Sequence, residues 1–367
     1  MTSLAHILDR RTRPSELYQL RGFGSVRCTA CALRCVIRPG RRGVCRVRFN
    51  DAGTLMVPWG YVAALQCDPT EKKPFFHVFP GSDAVTFGML GCDLHCDYCQ
   101  NWLTSQALRD EAAGVGPRDI TAEEIVALAV RRHARLVVSS YNEPLITAEW
   151  AAEIFRLAKR TGLTTACVSN GNATPEVLDY LRPSTDAYKI DLKTMSDRGY
   201  RKLGCKLEHV LDTVRHAHER GFWLEIVTLV VPGFNDSEDE LRDAASFIAS
   251  VSPDIPWHVT AFQPHYRRTG DRGTSPGQLV RAAEIGREAG LAFVYAGNLA
   301  GSLERWENTY CPGCGRPLVE RVGVHITKDE LSPGGGSCPG CGRSIPGIWP
   351  QRAEAVRPLA PFRSACG

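Results

Sequence analysis

Cys92, Cys96 and Cys99 stand in GCDLHCDYCQNW at a C-x3-C-x2-C spacing, directly after the apolar run at 85–90. Three thiolates so placed can hold three irons of a [4Fe-4S] cube and leave the fourth iron open. An open iron can bind a small molecule through that molecule's own amine and carboxylate. Tyr98, one residue before the third thiolate, offers an aromatic surface suited to a purine. Zinc fits this triplet less well, because a closed tetrahedral site needs four ligands and favours C-x2-C pairs.

Two further cysteine groups could hold metal. Cys28, Cys31, Cys35 and Cys45 fall within eighteen residues, and Pro39, Gly40 and Gly43 supply a turn that could fold the fourth thiolate back. Zinc and a second iron–sulfur cluster both accept four cysteines, so spacing leaves the metal at this first site open. Near the other end, Cys311/Cys314 and Cys338/Cys341 form two CPGCG knuckles separated by LVERVGVHI and a Pro-Gly-rich turn. This pattern looks like a zinc ribbon, although rubredoxin-like iron would use the same geometry. The glycine after each pair is expected to let backbone N–H groups point at sulfur.

The chain has 367 residues, 43% hydrophobic and 23% charged, with a net charge of +4. That length suits one large α/β domain with small appendages, and the charge gives no field that calls for nucleic acid. Eleven of the fifteen cysteines lie in the three groups; Cys67, Cys167, Cys205 and Cys366 are left over. With no basic-then-apolar leader and no membrane-length apolar run, a cytoplasmic location is expected, where grouped cysteines are metal ligands rather than disulfides. The basic stretch RPGRRGVCRVR could offset thiolate charge at the first site, meet an acidic partner or simply be solvated.

These groups need a scaffold, and short apolar runs alternating with amphipathic segments between 85 and 298 predict a parallel sheet. Six strands, VTFGML, RLVVSS, LTTACVS, DAYKIDL, FWLEIVTLVV and WHVTAF, precede a closing LAFVYAG. Helices are expected at 122–132, 148–159, 175–181, 208–220, 237–250 and 276–288, with Thr121, Thr147, Thr174 and Ser237 as N-caps. Six strand–helix units suit a partial (β/α)6 TIM-like barrel with reactive groups at the C-terminal strand ends. The cysteine triplet follows the first strand there, Asn142 and Glu143 the second, Ser169 to Asn172 the third, and Asp191 with Lys193 the fourth. His258 opens the sixth. Composition places a Cys-rich metal-binding lobe at 1–80, the barrel at 81–304, the four-Cys ribbon at 305–352 and a tail at 353–367.

The triplet, YNEP at 141–144, IDLK at 190–193 and VVPGFND at 230–236 together resemble the radical S-adenosylmethionine (SAM) superfamily, near the pyruvate formate-lyase activating enzyme branch. With the N-terminal cysteines, DPTEKKPFFHVFPGS and the ribbon, the order of parts is most similar to radical SAM proteins of the AmmeMemoRadiSam gene neighbourhood. The resemblance implies a [4Fe-4S] cluster on Cys92, Cys96 and Cys99, with Glu143 receiving the amine of SAM. Asn142 and Ser169 stand beside it, and Asp191 and Lys193 line the cofactor pocket. Tyr141-Asn142 replaces the glycine pair usual in the family, which departs from its amine-binding geometry.

The same resemblance implies reductive cleavage of SAM to methionine and a 5′-deoxyadenosyl radical, with a flavodoxin- or ferredoxin-like protein as electron donor. The radical would take hydrogen from a small-molecule or peptide substrate, or install a glycyl radical on a partner protein, and proteins of the same gene neighbourhood are possible partners. A catalytically silent metal-binding interaction module is the reading from another class. A zinc hydrolase is disfavoured, since no H-E-x-x-H or similar set occurs. No nucleic acid or membrane partner is expected.

Overall fold

A computed structural model describes residues 3–350, so the tail predicted at 353–367 and Cys366 lie outside the described residues. An eight-stranded sheet dominates. Its strands are β1 (Ala64–Pro69), β2 (Asp83–Gly88), β3 (Leu136–Ser139), β4 (Thr164–Ser169), β5 (Ala187–Asp191), β6 (Trp223–Val230), β7 (Trp257–Ala261) and β8 (Val294–Gly297). They lie side by side in sequence order, and β2 to β8 are all parallel. The alternation read from the sequence is thus borne out as an α/β partial barrel of six strands and a closing one.

β1 is the addition. It pairs antiparallel with β2 from Ala64 opposite Gly88 to Pro69 opposite Asp83, so the segment before the barrel extends its sheet. Periodicity cannot reveal such a partner, because alternation specifies a face and not a neighbour.

The crossovers are α1 (Ala122–Arg131), α2 (Ala148–Arg160), α3 (Pro175–Leu181), α4 (Asp197–Leu203), α5 (Leu207–Glu219), α6 (Glu238–Val251) and α7 (Pro276–Glu288). Thr121 begins α1 in a reciprocal capping box with Glu124, and Thr174 and Ser237 cap α3 and α6 as expected. Thr147 does not cap α2. A 3-10 turn at Pro144–Thr147 runs straight into that helix, and Glu143 caps the turn instead by accepting from the Leu145 N–H. α4 is unforeseen in the sequence: DRGYRKL buries only Gly199, Tyr200 and Leu203 and has no sustained apolar period.

The first cysteine group lies in a small lobe of antiparallel strands, Tyr18–Leu20, Val26–Cys28 and Val36–Ile37 among them. The ribbon strands β9 (Thr309–Tyr310), β10 (Pro317–Val322) and β11 (His325–Asp329) form a separate antiparallel sheet. Its apolar side, with Leu318 and Val319, packs on Phe76, Phe293 and Tyr295 at the N-terminal end of the barrel. Among the described residues no helix is long and apolar enough to cross a membrane.

Candidate active site

The cysteine triplet occupies the loop after β2, and backbone contacts fix that loop at both ends. Asn142 takes the Met89 N–H on its side-chain oxygen at 2.8 Å, and the Gly91 N–H donates to the Thr104 carbonyl at 3.0 Å. The Leu94 N–H points at Cys92 Sγ from 3.4 Å, and Ser105 Oγ lies 3.3 Å from Cys99 Sγ. Burial pushes the Cys96 thiol up to about 12, partly offset by the nearby Lys193 ammonium. Such thiols ionise only when a metal replaces the proton.

A carboxylate network braces Cys92 from behind. Asp93 is fully buried and accepts from Asn170 Nδ2 at 2.7 Å and Asn172 Nδ2 at 2.8 Å. Glu143 accepts from Ser169 Oγ at 2.7 Å and the Leu145 N–H at 3.1 Å on one oxygen, and from the Asn170 N–H at 2.8 Å on the other. A carboxylate offers about four acceptor positions, so one remains on the second oxygen. Burial, then the charge of Asp93, raises the Glu143 pKa to about 8 against the pull of these hydrogen bonds. Asn142, Glu143 and Ser169 are therefore gathered beside Cys92, as the strand-end register requires.

Asp191 and Lys193 line a cavity of about 480 Å³ that starts at Cys96, Tyr98 and Cys99 and descends between the strands. Tyr98 is buried on one side against Phe234 and Phe262. Asp191 receives Lys189 Nζ at 2.5 Å and Lys193 Nζ at 3.2 Å. Burial would raise its pKa, but the two ammonium groups overcome that and hold it at about 2. Asn235 of VVPGFND supplies a brace, because its side-chain amide donates to the Lys193 and Leu229 carbonyls at 2.7 and 2.8 Å. That link between two motifs was not foreseen.

Lys189, Val227, Leu229, His258 and Thr260 alternate along β5, β6 and β7 and put their side chains into the same cavity. His258 is held by Glu225 and stacks on Tyr295 with ring centroids 5.0 Å apart. Glu71 and the ribbon tip at 322–325 complete the wall, the tip against Ala300 just beyond the end of β8. Glu71 is buried and raised to about 7 by that burial, although Arg321 opposes the shift, and its Oε2 has no hydrogen-bond partner. Sequence patterning missed Glu71, Lys189 and Glu225; the acid inside FWLEIVTLVV was the visible signal.

At the ribbon, Cys311, Cys314, Cys338 and Cys341 place their sulfurs within 4.8 Å of one another. Two thiolates on a tetrahedral zinc, each at about 2.3 Å, stand about 3.8 Å apart; here Cys311–Cys341 and Cys314–Cys338 measure 3.5 and 3.7 Å. The set fits one metal ion. Gly315 and Gly342, at φ of +74° and +75°, turn their N–H groups onto the Cys311 and Cys338 carbonyls at 2.9 Å. It is Gly340 that points its N–H at Cys338 Sγ, from 3.4 Å.

Residues 87–248 match the family model of the radical SAM superfamily. An uncharacterised protein of Methanocaldococcus jannaschii is 37% identical over 313 residues, covering 84% of this chain and 91% of that protein. The chain belongs to the radical SAM superfamily. Pyruvate formate-lyase 1-activating enzyme of Escherichia coli strain K12 is 29% identical over 177 residues, 46% of this chain and 69% of the relative. A solved domain of pyruvate-formate lyase-activating enzyme from Bacteroides vulgatus aligns at 22% identity and a TM-score of 0.39, over 44% of this chain and 98% of that one.

A radical SAM enzyme uses a [4Fe-4S] cluster and SAM, and the site can be tested against both. The triplet sulfurs do not close to the single-ion radius; among the described residues the ribbon set alone does so. A cube, which gives each thiolate its own iron, wants that wider setting. For SAM, Glu143 keeps one acceptor position for an ammonium, and Tyr98 with Lys193 faces the cavity beside Cys96 and Cys99. The donor set fits.

Proposed function

We propose that the protein cleaves SAM at a cluster held by Cys92, Cys96 and Cys99 to oxidise or rearrange a small molecule or short peptide bound in the barrel cavity. When bound, the reduced cluster and SAM supply a 5′-deoxyadenosyl radical that abstracts hydrogen. The chain's own part is to bind, orient and keep water out. Glu143 takes the SAM amine on its remaining acceptor position, and Asn142 and Ser169 hold that carboxylate and the loop in place. Lys193, pinned by Asp191 and Asn235, faces the anionic side of the cofactor, and Tyr98 lies along the purine.

The observation that carries this reading is the cavity itself. Its volume of about 480 Å³ falls in the range of small-ligand sites, and it joins Cys96 and Cys99 to polar groups deep in the barrel. Lys189, His258, Thr260 and Glu71 are the polar groups available there to a substrate. An outside flavodoxin- or ferredoxin-like protein provides the electron, the ribbon cysteines hold zinc, and the cytoplasm is the working compartment.

A second reading, installation of a glycyl radical on a partner protein, is favoured by the likeness to pyruvate formate-lyase activating enzyme over 177 residues. The ribbon tip on the cavity wall argues for the smaller substrate, since it takes up space that an incoming protein loop would need.

The test is 5′-deoxyadenosine release from SAM by anaerobically reconstituted protein with dithionite, beside a Cys92→Ala/Cys96→Ala/Cys99→Ala variant. Release by the wild type and none by the variant is expected. A glycyl radical EPR signal on a protein of the same gene neighbourhood after incubation would select the second reading. No release despite a full cluster would leave the metal-binding interaction module.

A further inference from the structure

The lobe before the barrel carries four cysteines that the site described above does not use. Cys28, Cys31 and Cys45 are buried and Cys35 is half-buried, whereas Cys314 and Cys341 of the ribbon are exposed. The backbone gathers the set: the Cys28 N–H donates to the Cys35 carbonyl at 3.0 Å, and the Arg34 N–H turns back onto the Cys31 carbonyl at 3.0 Å. Gly43 lets the chain return close to Cys35, whose Sγ would lie 3.7 Å from a Cβ at that position.

Two features separate this set from the ribbon. The first is spacing. The ribbon sulfurs stand where one tetrahedral ion holds them, and among the described residues no other set of three or more ligands closes within 4.8 Å. Four thiols gathered in one small lobe but not closing within that distance suit a cube, in which each binds a different iron, better than a single zinc.

The second is position. The loop that carries Cys92 touches this lobe on both sides of that residue. A Cβ on Gly91 would come 3.1 Å from the Cys45 carbonyl and 2.7 Å from Val47 Cγ1. Cys31 bridges to Ala173 while the Ala32 N–H donates to the Asn172 carbonyl at 2.9 Å, and Asn172 Nδ2 holds Asp93 at 2.8 Å. Arg109 clamps the two loops together, donating to the Leu94 carbonyl at 2.8 Å and the Val44 carbonyl at 2.7 Å. Gly91, Cys92 and Asp93 thus form a wall shared by both cysteine sets. A peripheral structural ion needs no such wall, whereas electron transfer benefits from it.

We propose that Cys28, Cys31, Cys35 and Cys45 hold a second iron–sulfur cluster that relays electrons to the cluster on Cys92, Cys96 and Cys99. The proposal rests on the radical SAM reading of the triplet. A low-potential flavin or iron–sulfur protein loses one electron to the first cluster, which is reduced by one and then reoxidised as the same electron reduces the second. No bond or proton changes hands. Cys35, the half-buried ligand, stands three residues before the exposed Arg38, so this cluster has a side toward solvent.

The experiment counts metals on full-length protein reconstituted anaerobically, by elemental analysis and Mössbauer spectroscopy. Wild type should hold about eight irons, four per cube. The Cys92→Ala/Cys96→Ala/Cys99→Ala variant, whose N-terminal ligands are untouched, should keep about half of that iron with a [4Fe-4S] spectrum. That variant emerging without iron and with about two zinc ions, one for each set of four cysteines, would overturn the proposal.

The relay has its own arm in a Cys28→Ala/Cys31→Ala/Cys35→Ala/Cys45→Ala variant, compared with wild type for 5′-deoxyadenosine release driven by reduced flavodoxin or by dithionite. The ratio of protein-driven to dithionite-driven release should fall at least tenfold. An unchanged ratio overturns the relay. If this variant does not fold, the iron count of the triplet variant still decides the cluster. Wild type with the expected iron but no release by either reductant removes the radical SAM reading, and the relay with it, while leaving the cluster assignment standing.

Discussion

Glu225 and His258 meet at 2.7 Å, carboxylate Oε2 to imidazole Nε2, across the neighbouring strands β6 and β7 at the base of the barrel cavity. The same carboxylate accepts the Phe76 and His77 N–H groups at 2.9 and 3.0 Å and Trp223 Nε1 at 3.1 Å. Burial would raise the Glu225 pKa, yet His258 and these donors hold it below the ordinary carboxylate value. It stays ionised and accepts only, which makes Nε2 the protonated nitrogen of His258.

Glu225→Gln replaces one acceptor oxygen with an N–H2 that must face a donor. Leaving buried partners unsatisfied costs about 1–3 kcal/mol. The urea midpoint should fall by that equivalent while the denaturant slope is kept. A midpoint equal to wild type would mean that the segment before β2 and strand β7 are held by packing alone.

Acid should find the same region. Burial lowers His258 and takes His77 down to about 4, against the pull of Glu225 on both. The unfolded chain binds protons near 6.5 that the native protein refuses, so stability is full above that pH and drains away as pH falls toward 4. Urea titrations at pH 7.5, 6 and 5 on wild type and His77→Gln should show a smaller loss in the variant. Parallel losses would place the acid sensitivity elsewhere.

Glu143 acts with the opposite sign. Its raised pKa of about 8 means that the native state keeps a proton the unfolded chain releases near 4.5. That contribution is whole below about 4.5 and disappears as pH climbs to about 8. Glu143→Gln abolishes it, so the stability gap between wild type and variant in metal-free protein should narrow from pH 5 to pH 8. A gap that does not change with pH would show that Glu143 titrates normally. In loaded protein the same change should weaken SAM binding tenfold or more, since a charge-assisted hydrogen bond is worth about 1.5–3 kcal/mol.

How far the sequence reaches can be judged on these residues. The barrel strands are legible because buried parallel strands are near-continuous runs such as LVVS and LEIVTLV, and the chemistry falls at their ends. Cys96, Tyr98, Cys99, Asp191 and Lys193 follow directly, and the structure collects them on one cavity. Glu143 and Asn142 were legible as a pair. Asn170 and Asn172 were legible only as strand-end residues, and their hold on Asp93 was not, because a brace is defined by what it touches. Lys189 and Glu225 were visible as charges inside apolar strands, a pattern that burial tolerates only with partners. Thr147 misled because a 3-10 turn fed α2 directly, and Arg321 could not be read at all, since a ribbon arginine reaching Phe76 in the barrel is a tertiary fact.

Gly91 tests how tightly the N-terminal lobe and the triplet loop are joined. Its φ is +95°, and an added methyl would fall 2.7 Å from Val47 Cγ1. Gly91→Ala therefore combines a left-handed backbone penalty of about 1–2 kcal/mol with an overpacking cost of about 1–3 kcal/mol. The melting temperature should drop by several degrees and the iron retained after reconstitution should fall. A variant with wild-type melting and iron content would show that the loop shifts away from the lobe at no cost.

The ribbon offers the last prediction. Arg321 on β10 is fully buried, donates to the Phe76 carbonyl at 3.1 Å and to Thr309 Oγ1 at 2.9 Å, and lies 4.2 Å over the Phe76 ring. A metal ion on the four ribbon thiols would hold this strand and the tip on the cavity wall, and small metal-bound folds lose structure with their ion. Cys338→Ser should therefore lose about one metal ion per chain and become susceptible to protease between 305 and 350. The barrel core should stay intact, because among the described residues its strands pair only with one another and with β1. Arg321→Met, which keeps the ribbon ligands, should retain the metal yet loosen the same segment. If both variants resist protease as wild type does, the ribbon is held on the cavity wall by the apolar contacts of Leu318 and Val319, and the metal serves another end.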